Sequence, residues 1–130
     1  MTGESLQPSI TIDFKGKRLR FHKKTLHCLG NPEYILFFIN PHARTFIVQR
    51  GERFDLRSYR LPWTQLKYAH YIEIRNMSLM NILLKLSTHW TGNQSYRIYG
   101  IFIQDEEIIK FNIMESIVTC ETWRTQNDNS

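Results

Sequence analysis

A chain of 130 residues that is 42% hydrophobic and 22% charged has the composition of one compact domain, or of two very small intertwined halves. Two cysteines make no disulfide framework, the polar Met1 to Ser9 lacks the apolar core of an export signal, and no apolar run approaches the roughly 18 residues of a spanning helix. Reduced Cys28 and Cys120, a cytoplasmic location and no membrane association are therefore expected. The net charge of +5 is unevenly spread. Between Phe14 and His70 twelve Lys and Arg face only Glu33, Glu52 and Asp55, a local +9, whereas 71–130 carries five basic and seven acidic residues. A half this basic favours a polyanion or an acidic protein surface.

Ser9 to Phe14 alternates Ile10, Ile12 and Phe14 with polar partners and predicts a strand. Lys15-Gly16-Lys17 is a tight turn in which Gly16 is suited to a positive φ. Arg18 to Phe21 returns as a second strand, with Arg18 and Arg20 on one face and Leu19 and Phe21 on the other. Lys23 to Leu29 predicts a short helix closed by Gly30 and stopped by Pro32. Tyr34 to Ile39 is nearly all apolar, as in a strand covered on both faces. Asn40-Pro41-His42-Ala43 turns the chain, and Arg44 to Arg50 is the partner strand.

Gly51 to His70 lacks periodicity and reads as a basic, aromatic linker with room for a short strand or turn. Such a length without structure is uncommon inside a compact domain and often functional. Tyr71 to Arg75 predicts a strand. A clearer helix follows from Ser78 to Leu86, capped by Asn76 or Ser78, with Leu79, Ile82, Leu83 and Leu86 on one face. Tyr96 to Ile103 and Ile108 to Ile113 are strands joined by Gln104-Asp105-Glu106-Glu107. Met114 to Thr122 is open between strand and helix. Residues 1–9 and 122–130 are expected to fray.

The order strand, short helix, strand, strand thus occurs twice. One β-α-β-β unit cannot bury its own apolar face. The expected fold is a strand-rich α+β one, with halves at 10–50 and 71–121 packed as a pseudo-dimer around the 51–70 linker.

Residues 15–24 hold six Lys and Arg in ten positions. Paired guanidinium groups on a hairpin hold phosphates or read guanine edges, and Lys23 and Lys24 sit where a helix N-terminus favours anions. Lys15, Lys17, Arg18, Arg20, Lys23 and Lys24 are therefore candidate nucleic-acid contacts, assisted by Arg53 and Arg57 in the linker. The plainer alternative is an edge strand guarded by charge. Tyr59 and Trp63 either stack on bases or anchor the linker to the core. His22, His27 and Cys28 lack a second ligand pair, so no metal or cofactor is expected. Cys28 reads as a buried thiol. Cys28, His27, Ser78 and His89 have no activating context, so no enzyme is expected.

The first repeat resembles the swapped-hairpin AbrB family, the DNA-binding module of bacterial transition-state regulators and many antitoxins. Leu19-Arg20-Phe21-His22-Lys23-Lys24 stands where that family has alternating apolar residues and then Ile-Pro-Lys. Thr25-Leu26-His27-Cys28-Leu29-Gly30 matches its helix with the closing Leu-Gly, and Asn31-Pro32-Glu33-Tyr34-Ile35 stands at its Gly-Asp turn. His22 replaces the family's proline and Pro32-Glu33 its Gly-Asp. The tandem arrangement looks like the MraZ branch. The resemblance implies a small DNA-binding protein and transcriptional regulator, compatible with further homodimerisation. The alternative is an antitoxin-like or mobile-element accessory module with an acidic protein partner.

Overall fold

Every strand of the computed structural model, which describes residues 7–66 and 69–119, pairs antiparallel with its neighbours. In chain order the elements are β1 (Ser9–Asp13), β2 (Arg18–His22), α1 (Lys23–His27), β3 (Tyr34–Asn40), β4 (Thr45–Arg50), β5 (Tyr59–Arg60), a 3-10 helix (Trp63–Leu66), β6 (Tyr71–Ile74), α2 (Met77–Leu86), β7 (Ser95–Ile103) and β8 (Ile108–Thr119). The strands form one eight-stranded sheet, ordered β5-β3-β4-β8-β7-β1-β2-β6 and curled into a half-barrel. The strand-rich α+β class is as expected. Among the described residues no helix is long and apolar enough to cross a membrane.

Alternation along the strands decides what the curl encloses. Ile10, Ile12, Leu19, Phe21, Ile72, Ile74, Tyr96 and Ile98 turn to one side and are buried. Phe46, Val48, Ile109, Phe111 and Ile113 continue that core, and the helices add Leu26, Leu29, Leu79, Met80 and Leu83. On α2 the inward face includes Met80, while Ile82, expected inside, is about half exposed. Asn76 caps α2 by accepting the Leu79 N–H at 3.0 Å. The apolar β3 is fully buried only at Ile35 and Leu36. It lies beside the two-residue edge strand β5, which covers little of it.

Two local features depart from the sequence reading, and a third fills in what it left open. In the β1–β2 turn Lys17 takes the positive φ (57°), and Gly16 does not. Glycine is needed at position 16 for space, because a Cβ there would collide with the Asp13 carboxylate. Helix α1 is only five residues long. The stretch that read as a linker contributes β5, paired to Tyr34 and Ile35, and anchors Trp63, whose Nε1 donates to the Pro32 carbonyl at 2.6 Å. Tyr59 and Trp63 pack against the core.

The segment after Ile113 resolves as strand. Strand β8 runs to Thr119 with a break in register, Ile98 facing Ser116 and Gly100 facing Phe111. The Asn112 Oδ1 accepts the Met114 N–H at 3.0 Å within the break. Such irregularities bend a strand and help a sheet to curl. At Gly100 an added Cβ would lie 2.7 Å from the Phe111 ring, so the two strands close only over glycine. Residues 1–6, Cys120 and 121–130 lie outside the described residues, as do Lys67 and Tyr68.

Candidate nucleic-acid interface

The face of β1, β2, β6 and β7 opposite the core is polar because every second residue must leave it. Antiparallel pairing then sets residues from distant parts of the chain side by side. Arg97 faces Thr11, Thr11 faces Arg20, and Arg20 faces Glu73. One strand period away, Tyr99 faces Ser9 and His22 faces Tyr71.

All of these except Glu73 line a groove of about 300 Å³ with Lys24, Thr25, Gln7 and Pro8. Among the described residues its cations are Arg20, Lys24 and Arg97, and none of its lining residues is a carboxylate. Two other hollows, of about 340 and 260 Å³, each set a carboxylate beside their arginine, Glu33 with Arg60 and Glu107 with Arg50. The β1-β2-β6-β7 groove is thus the one of the three that favours an anion.

Within the groove the Arg20 guanidinium carbon lies 4.7 Å over the Tyr71 ring, a cation–π contact that holds the two groups together. Arg97 Nε lies 3.5 Å from the Thr11 hydroxyl. The His22 Nδ1 accepts the Lys24 N–H at 3.1 Å and so caps α1. Burial and the surrounding Lys24, His70, His27 and Lys23 all hold the His22 pKa below its ordinary value. A neutral imidazole bonded in this way carries its proton on Nε2.

The expected contact residues divide. Arg20 and Lys24 enter the groove. Arg18 is on the same face but is held elsewhere: its Nε bonds Asp13 Oδ2 at 3.0 Å and its Nη1 bonds Glu73 Oε2 at 2.9 Å. It ties β1 to β6 across β2. The Asp13 carboxyl would be raised by burial, yet the Gly16 N–H, the Ser95 hydroxyl and Arg18 outweigh this and lower it. Lys15 and Lys17 are exposed in the hairpin turn, at the end of β2 away from Lys24. The Lys23 N–H donates to the His70 carbonyl at 3.0 Å. With Lys24 N–H bonded to His22, the first backbone donors of α1 already have acceptors. Arg53 and Arg57 belong to the 51–58 loop and do not line the groove. Arg57 makes a double contact to Asp55 at 2.9 and 3.1 Å.

Arg97, Thr11, Tyr71 and Tyr99 are among the groove residues that sequence reasoning missed, as are Gln7, Pro8, Ser9 and Thr25. The signal was present in Tyr96 to Tyr99, where Arg97 and Tyr99 alternate with buried Tyr96 and Ile98. Only the β1–β7 pairing brings that polar row beside Arg20.

Among the described residues no group of three or more His, Cys, Asp and Glu is placed to hold a metal ion. Burial raises the Cys28 thiol pKa, the opposite of activation for nucleophilic attack. Comparison of the chain with family models, curated proteins and solved structures finds no match.

Proposed function

We propose that this chain is a DNA-binding protein, with a regulatory rather than catalytic role, that holds backbone phosphates in the β1-β2-β6-β7 groove. One observation carries the reading: Arg20, Arg97 and Lys24 converge on a groove whose lining, among the described residues, has no carboxylate. Hydroxyl and amide donors of Thr11, Ser9 and Gln7 stand among them, the mixture that phosphate contacts use. Three phosphate contacts give an affinity that falls with salt with a log–log slope of about −2 to −3. Fluorescence anisotropy with labelled DNA at increasing salt tests this. Absence of salt-dependent binding at micromolar protein overturns it.

The same proposal treats the fold as a pseudo-dimer. Exchanging β1 with β5, β2 with β6, β3 with β7 and β4 with β8 maps β5-β3-β4-β8-β7-β1 onto itself reversed, and leaves the β2–β6 pair in place. Equivalent strands of the two halves pair directly at β4–β8 and β2–β6. This supports a duplicated scaffold in which the second half supplies Tyr71, Arg97 and Tyr99 to the groove.

A protein-interaction role is favoured by a different feature. The 51–58 loop is stiffened by the Asp55–Arg57 pair and by the Glu52 N–H bond to the Ser58 hydroxyl at 3.0 Å. It presents Phe54 at 89% and Leu56 at 101% exposure. Large apolar side chains exposed on a hydrogen-bonded loop suit a partner's apolar cleft. Phe54→Ala with Leu56→Ala, abolishing capture of a protein partner while sparing DNA binding, is the outcome that supports this second role.

A further inference from the structure

Phosphate contact alone does not explain why the groove is rimmed by tyrosines. Tyr71 on β6 and Tyr99 on β7 are 38% and 36% exposed, and each stands at one side of the four-strand surface. Three inter-strand steps separate β6 from β7, which sets their backbones about 14 Å apart. One strand period along, Arg20 and Arg97 flank Thr11 with about 10 Å between their backbones. Two neighbouring rows therefore cross the surface: Tyr99, Ser9, His22 and Tyr71 with a ring at each end, and, one strand period along, Arg97, Thr11, Arg20 and Glu73. The Arg20 guanidinium carbon also lies 4.7 Å from the Tyr71 ring centre, so that rim offers a cation as well as a ring.

A duplex keeps its bases stacked inside and offers a concave surface only its backbones. The exposed rings of Tyr71 and Tyr99 beside the cations are of little use to a duplex whose bases are already stacked, but suit unpaired nucleotides whose bases can lie on them. We infer that the groove takes a short single-stranded stretch of nucleic acid, with bases stacked at Tyr71 and Tyr99 and the linking phosphates over Arg20, Arg97 and Lys24. This rests on the nucleic-acid reading above and narrows it to strands that are already open. Stacking is tolerant of sequence because every base has a π face, so the preference is for strandedness before sequence.

The test is anisotropy with a labelled short oligothymidylate, the same oligomer paired in a duplex, and thymidine monophosphate as competitor. The single strand is expected to bind about ten-fold or more tighter than the duplex. Tyr99→Ala and Tyr99→Leu are expected to weaken it by about 5- to 150-fold, with Tyr99→Phe near the parent and the salt slope retained in all three. Tyr99→Leu keeps apolar bulk without the π face, so it separates stacking from folding. Equal, salt-dependent affinity for strand and duplex overturns the single-strand inference and leaves the nucleic-acid reading standing. Competition by the monophosphate as strong as by the oligomer also overturns it, in favour of a nucleotide ligand. Binding to none of the three overturns both.

Discussion

Replacing Asp13 by Asn removes the charge around which the β1–β2 hairpin is organised. The Asp13 side chain is 4% exposed and accepts from the Gly16 N–H at 2.9 Å, the Ser95 hydroxyl at 3.0 Å and Arg18 Nε at 3.0 Å. Asn keeps the shape and one acceptor oxygen, but it loses the ion pair and sets an amide N–H₂ toward a donor. Breaking a fully buried pair costs about 3–5 kcal/mol. Arg18 is 26% exposed and keeps Glu73, so the loss here is about 2–3 kcal/mol. At about 2.1 cal/mol/K per residue over 130 residues, that lowers Tm by about 7–11 °C. The assay is thermal and urea unfolding followed by circular dichroism at neutral pH. The Asp13 pKa is lowered on folding, so its contribution is complete above the ordinary value of 3.8 and is lost as pH falls through the lower folded value. The parent's stability should therefore decline below about pH 4, and that of Asp13→Asn should decline less. A Tm shift under about 2 °C, or identical acid profiles, refutes the claim that Arg18 is committed to holding the hairpin.

Two further outcomes follow from the packing and from the groove. Gly100→Ala must push the Phe111 ring or open the β7–β8 pair, and is expected to cost about 1–3 kcal/mol in urea unfolding; an unchanged midpoint contradicts the close approach. Folding lowers the His22 pKa, so the stability that neutral His22 contributes is present above about pH 6.5 and is lost as pH falls through the lower folded value. His22→Asn keeps a capping oxygen and cannot titrate, so its stability should change less between pH 7.5 and 5 than the parent's; parallel profiles would count against the cap.

Much of the local structure was legible because it is decided by neighbours in sequence. Leu19 and Phe21 alternate with Arg18 and Arg20, Asn76 precedes α2, and Gly30 with φ of +78° ends the α1 turn. Each is a short-range steric or capping preference. The site was half legible for the same reason: Arg20 and Lys24 stand out in a basic run, but their partners come from elsewhere. Arg97 reaches the groove through a strand pair that joins residues 86 positions apart. Arg18 looked available for phosphate until Glu73, 55 residues away, bonded to it. Two residues of β5 are too few to show any period, so the 51–70 pattern allowed a short strand without placing it or its pairing with β3.

The most direct measurement is the salt slope of nucleic-acid affinity for the parent, Arg97→Gln and Lys24→Gln, taken with the folded state verified. If these cations hold phosphates, the parent's log–log slope is about −2 to −3 and each substitution makes it shallower by about 0.7–0.9. No binding by the parent at low salt, or slopes that do not change when either cation is removed, would contradict the assignment of the groove.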